Sequence, residues 1–128
     1  MVPQSRYPVL LLTGNEELVQ LLEHALQPEG MSVTVAASLA VAKDAFAVTA
    51  YAVVVVEPSP GGLALLTFLR GDARYARIPI VVVVPAGPAD LPLPPASGDV
   101  SVVQTPIEAP VLGRLLRLLA IASTEPRP

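Results

Sequence analysis

The chain has no cysteine, no tryptophan and one histidine, and only 4% of its residues are aromatic. The missing thiols exclude disulfides, thiolate metal sites and a cysteine nucleophile. His24 stands beside Glu23, off the apolar stripe of its helix, with no second histidine or carboxylate constellation around it. It reads as a solvated surface residue. Few aromatics leave Val, Leu and Ala to fill the core. Charge is scarce as well: 15% of residues are charged and the net charge is −3. That excludes general binding to a nucleic-acid backbone, which needs a concentrated basic surface. Apolar runs such as Val53-Val54-Val55-Val56 are strand-length, far short of the roughly 20 residues of a membrane span. Residues 1–6 lack the apolar stretch of a secretory leader. The expectations are a cytoplasmic protein, with no membrane or nucleic-acid partner for this domain.

What is abundant is aliphatic residue and proline. With 52% apolar residues in 128, the chain suffices for one domain with a substantial core. Strand and helix signals alternate along it. Pro8–Leu12 is a short apolar strand. Asn15 caps a helix whose first turn carries Glu16 and Glu17. Leu18, Leu21, Leu22, Ala25 and Leu26 form its apolar stripe, and Gln27-Pro28-Glu29-Gly30 ends it. Ser32–Ala36 is a second strand. Ser38 caps a helix reaching about Thr49. Residues 51–56 form an unbroken apolar strand, Gly61-Gly62 opens a third helix running to Arg70, and residues 78–84 form a fourth strand. Val100–Gln104 is the fifth strand and 108–122 the final helix.

Strands apolar on both faces belong to parallel sheets covered by helices. Alternating units of this kind give a doubly wound α/β fold. Ligand chemistry in such sheets sits at the carboxyl ends of the strands, here Thr13-Gly14, Glu57, Val84 and Thr105.

Four local patterns, in this order and spacing, resemble the CheY-like receiver domain of two-component response regulators over residues 8–122. Val9-Leu10-Leu11-Leu12 followed by Asn15-Glu16-Glu17-Leu18 resembles its first strand and helix. Tyr51-Ala52-Val53-Val54-Val55-Val56-Glu57 resembles its phosphoryl-acceptor strand. Ile78-Pro79-Ile80-Val81-Val82-Val83 resembles the entry to its fourth strand, and Thr105-Pro106-Ile107 the corner before its last helix. The resemblance implies a five-stranded parallel sheet in the order 2-1-3-4-5, with 1–7 as an N-terminal extension and 123–128 as a tail. It also implies a cis bond between Thr105 and Pro106.

The acceptor-site positions of the family are all changed. Its acidic pair falls on Thr13 and Gly14, its acceptor aspartate on Glu57, its switch hydroxyl on Val84 and its lysine on Thr105. Phosphoryl transfer relies on positioning and on neutralising charge with a metal and a cation. Mg²⁺ requires carboxylate oxygens at tight distances. Thr13 and Gly14 supply no carboxylate, Val84 no hydroxyl and Thr105 no cation, and Glu57 is one methylene too long for in-line geometry. The chain therefore reads as a degenerate pseudo-receiver: not an enzyme, with no catalytic residues, no metal and no cofactor. Its expected role is a phosphorylation-independent protein-interaction module in two-component-type signalling. A drifted acid at a sheet end is a simpler reading of Glu57 than a mimic of the phosphorylated state.

Two further departures concern output. The loop Pro58-Ser59-Pro60-Gly61-Gly62 is about three residues shorter than the family's, which is expected to close the mouth over Glu57. Pro85, Pro88, Pro92, Pro94 and Pro95 fall where the family has its fourth helix. Proline lacks an amide donor and clashes with the preceding turn, so a Pro-rich loop is expected there. The final helix carries a wide apolar stripe with Arg114 and Arg117 on its polar side. The expected contact surface comprises Pro92 and Pro94 of the loop and Val102, Thr105 and Pro106 at the fifth strand. Val111, Arg114, Leu115 and Leu118 of the final helix complete it. Its partner is a signalling protein, an adjacent domain of a longer chain, or a second copy docked through the final helix. The alternative is a small-ligand sensor with its ligand at the strand ends.

Three lesser features have plain readings. Thr13-Gly14-Asn15 is a strand-to-helix turn rather than a phosphate cradle, because the glycine-rich patterns are missing. Arg70, Arg74 and Arg77 gather where the third helix ends, and a cation there suits the helix dipole. An acidic partner is the sharper alternative for them. The 88–95 segment suits a closing loop better than a ligand for a proline-binding groove.

Overall fold

A computed structural model describes residues 7–84 and 100–124. Its strands are β1 (Pro8–Leu12), β2 (Ser32–Ala36), β3 (Val53–Val56), β4 (Ile80–Val84) and β5 (Val100–Gln104). Its helices are α1 (Glu16–Leu26), α2 (Leu39–Val48), α3 (Pro60–Arg70) and α4 (Ala109–Thr124), with a 3-10 turn at Gln27–Glu29. The five strands form one sheet in the order β2-β1-β3-β4-β5, and every pairing is parallel. This is the doubly wound arrangement expected from the sequence.

Strand side chains alternate between two layers. Val9, Leu11, Val53, Val55, Val81, Val83 and Val103 pack with Leu18 and Leu22 of α1 and Leu112 and Leu116 of α4. Leu10, Leu12, Val54, Val56, Ile80, Val82 and Val84 pack with Ala42 and Phe46 of α2 and Leu65 and Leu69 of α3. β3 and β4 are buried on both faces, which explains their unbroken valine runs. α1 and α4 lie against one another so closely that Gly113 meets the backbone of Ala25.

The helix starts follow local chemistry. Asn15 Oδ1 accepts from the amide of Glu17 at 2.9 Å, and Ser38 Oγ accepts from that of Val41 at 3.3 Å. α3 begins earlier than the glycine pair suggested. Ser59 is its cap, accepting from the Gly62 amide at 3.1 Å, and Pro60 occupies the first turn, where no amide partner is required. β3 and β4 start two residues later than expected, because Tyr51 and Ile78 belong to the approaches. The Ile78 amide closes a turn on the Tyr75 carbonyl at 3.1 Å. α4 runs to Thr124, into the expected tail, and Tyr7 packs on the core although it was placed in the extension. The expected proline loop between β4 and β5 lies outside the described residues. None of the described helices is long and apolar enough to cross a membrane.

Candidate functional site

β1, β3, β4 and β5 end on the same side of the sheet, and parallel register brings the residues after them together. Thr13 follows β1 and is held by its amide, which donates to the Ala36 carbonyl at 3.1 Å. Its side chain is buried at 7% exposure. The Thr13 hydroxyl accepts from the Asn15 amide at 2.9 Å and donates to Glu57 Oε1. A chain of donors thus runs from the start of α1 through Thr13 to the carboxylate after β3. The opening amides of Asn15 and Glu17 are both spent on side chains of this turn. Gly14 meets nothing within 4 Å of where a Cβ would sit.

Glu57 is half-buried and lines two clefts. One, of about 360 Å³, is walled by Leu18, Leu21, Val83 and Ile107, with Asn15, Glu17, Thr105 and Pro106 at its rim. The other, of about 470 Å³, is bounded by Thr13, Gly14, Ser38, Pro58, Ser59 and Gly61. The short loop after Glu57 therefore does not close the mouth, contrary to expectation. Its brevity instead brings α3 close: the Ser59 amide donates to the Glu57 carbonyl at 2.8 Å, and Gly62 packs directly on that carbonyl.

Thr105 stays at the groove rim, but its polar groups are turned elsewhere. Its amide and its hydroxyl both donate to the Val84 carbonyl, at 2.9 and 3.2 Å, closing the end of the β4–β5 ladder. The Thr105–Pro106 peptide is cis, as the resemblance implied. Val84 itself packs with the α2–α3 layer, so Val83 rather than Val84 faces the groove beside Glu57. Sequence alignment could not separate these neighbours, because successive strand residues point to opposite faces and both are valine. No Lys, Arg or His among the described residues lines either cleft. Among the described residues, no three His, Cys, Asp or Glu side chains come together as a metal site.

Arg70, Arg74 and Arg77 lie at the α3–β4 connection, which leads into the start of β4 rather than its carboxyl end. Arg70 Nη1 donates to the Ala76 and Ile78 carbonyls at 2.7 and 3.3 Å and so braces the α3–β4 turn. Arg74 bonds Asp72 at 2.8 Å and holds its carboxyl below the usual range through that hydrogen bond. His24 is exposed, and its Nδ1 lies 2.9 Å from the Gln20 carbonyl.

The final helix divides its wide stripe. Leu112, Leu116 and Ala120 enter the core, and Leu115 and Leu119 pack partly against it. Val111 and Leu118 remain 55% and 60% exposed, with Arg114 exposed on the same helix. Val102 on β5 and Pro106 are exposed too. Pro92 and Pro94 lie outside the described residues. Sequence reasoning missed a second exposed apolar set, Val35, Val41 and Val48, at the opposite edge of the sheet.

No family model matches the sequence, and no curated protein matches it. Solved structures do. A sensor protein from Polaromonas sp. JS666 is 23% identical with a TM-score of 0.75, covering 93% of this chain and 99% of its own. The signal receiver domain of a signal transduction histidine kinase from Syntrophus aciditrophicus is 16% identical, with a TM-score of 0.74 over 94% of this chain and 95% of its own. An orphan response regulator of H. pylori is 18% identical, with a TM-score of 0.70 over 92% of this chain and 99% of its own. The chain has the fold of CheY-like receiver domains.

Proposed function

We propose that residues 8–122 form a pseudo-receiver, a cytoplasmic, non-enzymatic interaction module that works in two-component-type signalling without being phosphorylated. The observation that carries this reading is the engagement of the Thr13 hydroxyl with Glu57, in clefts that no basic side chain lines among the described residues. An incoming phosphoryl group would meet a carboxylate already bonded to its neighbour and no cation to offset its charge. The deciding experiment is an amide NMR titration with Mg²⁺ and then beryllofluoride, a phosphoryl mimic. The expected result is no saturable shift at Thr13, Glu57 or Thr105. Saturable shifts centred on those residues would restore a phosphate-linked switch and overturn the proposal.

Output then rests on a constant surface. Val111, Arg114, Leu115 and Leu118 with Val102, Thr105 and Pro106 form the proposed contact face for a protein partner or an adjacent domain. Val111→Glu and Leu118→Glu are expected to weaken partner binding at least tenfold, by about 1.4 kcal/mol or more. Because both side chains are exposed, thermal stability should change by less than about 0.5 kcal/mol. Calorimetric titration alongside melting curves checks both halves. One observation favours a second reading, a small-ligand sensor: the apolar-walled groove of about 360 Å³ beside Glu57. A ligand-dependent melting shift abolished by Leu21→Glu would support it.

A further inference from the structure

Among the described residues β2 is an edge strand, paired only with β1. Natural edge strands are blunted by charge, proline, bulges or covering segments. Ser32-Val33-Thr34-Val35-Ala36 has no charge and no proline, and its five residues pair with β1 in unbroken register. Ser32, Thr34 and Val35 are exposed and Val33 is half-buried.

The backbone of this edge is also specified. The Thr13 amide donates to the Ala36 carbonyl. In a parallel ladder, alternate residues of a strand bond to the same neighbour. Ser32, Thr34 and Ala36 therefore bond to β1, and the amides and carbonyls of Val33 and Val35 face outward. An outside strand is the structure best suited to satisfy such a row.

We infer that β2 pairs antiparallel with β2 of a second copy across a twofold axis at Thr34, joining two sheets into one. The geometry selects the same chain as occupant. With the axis at Thr34, Val33 faces Val35 of the partner copy and Val35 faces its Val33, in hydrogen-bonded pairs that use the outward groups of both strands. Thr34 meets its own copy at the closer, non-hydrogen-bonded position. Valine pairs and a threonine pair are favourable cross-strand neighbours, and no like charges meet. An isologous contact of this kind closes at a dimer and does not propagate. α2, packed over β2, adds an apolar rim: Val41 and Val48 lie two turns apart on one face, and Val48 is 83% exposed. This surface lies at the sheet edge opposite β5, so a dimer formed here leaves the proposed partner face open.

The absence of cysteine makes the test direct. Thr34→Cys provides the molecule's only thiol. Its counterpart across the axis would lie at a Cα separation of about 4.5 Å, within the disulfide range of about 4.4–6.8 Å. Mild oxidation should convert this variant to covalent dimer in high yield, whereas Val111→Cys under the same conditions should stay monomeric. Analytical ultracentrifugation should show a concentration-dependent dimer of the unmodified chain, weakened at least tenfold by Val35→Lys, with circular dichroism confirming that the variant folds. A monomer at about 0.5 mM, or a dimer that ignores Val35→Lys and cross-links at position 111 in preference to 34, would overturn the inference.

Discussion

Replacing Gly113 with alanine is expected to destabilise the protein by about 2 kcal/mol, the balance of about 3 kcal/mol of helix–helix overlap against about 1 kcal/mol gained in helix propensity. A Cβ at this position would lie 2.9 Å from the carbonyl carbon of Ala25 and closer still to its oxygen. Both atoms belong to backbone, so no rotamer change relieves the contact, and α1 and α4 must separate. Those helices carry Leu22, Ala25, Leu112 and Leu116, all fully or nearly fully buried, so separation loosens the centre of one core layer. Overpacking of this kind costs about 1–3 kcal/mol and occasionally more. Alanine returns about 1 kcal/mol through helix propensity, which an isolated helix would gain in full. Clash should win, lowering the melting temperature by roughly 8 °C for a chain of this length. Thermal denaturation followed at 222 nm checks it, and an unchanged or raised midpoint would mean that the helices can part without loss.

Two adjacent glycines in α3 should respond with opposite signs. A Cβ on Gly61 would only graze Leu12 Cδ2 at 4.0 Å. Gly61→Ala is therefore expected to stabilise by about 0.5–1 kcal/mol, through helix propensity and a less flexible unfolded chain. Gly62 sits one residue further on, and its Cβ would overlap the carbonyl oxygen of Glu57 and stand 3.3 Å from Ser59 Oγ, the capping atom. Gly62→Ala should cost about 2 kcal/mol from overpacking and a weakened cap. It should also move the Glu57 backbone and so disturb the hydrogen bond from Thr13. The measurement is paired: chemical denaturation for the sign of each change, and amide shifts for the site. Perturbation at Thr13 and Asn15 in the Gly62 variant, with neither in the Gly61 variant, is the expected pattern. Equal behaviour of the two would sink the claim that the short loop clamps Glu57.

Much of the architecture was legible in the chain itself. Valine and leucine runs of strand length, interrupted by helical stripes, are compatible with a parallel sheet buried on both faces and with little else. Asn15 and Ser38 announced their helices because a capping side chain acts on amides two or three residues away, a distance sequence can show. Ser59-Pro60 carries the same kind of local signal, and α3 starts there rather than at the glycine pair.

Other features were decided only by tertiary structure. A strand covered on both faces has no polar alternation, so nothing in four consecutive valines says which of Val83 and Val84 faces Glu57. Register against β3 decides it. The bond from Thr13 to Glu57 joins residues 44 apart in sequence, and the contact of Gly113 with Ala25 depends on how far two helices approach. The apolar stripe of α4 could be seen, but its division between core and solvent follows from where α1 and the sheet end. The sequence of β2 likewise showed a strand and the resemblance implied its place at the edge, while the exposure of Thr34 and Val35 followed from packing. Local chemistry is written within a few residues and can be read there; facing, closeness and exposure are relations between distant segments, and only their packing sets them.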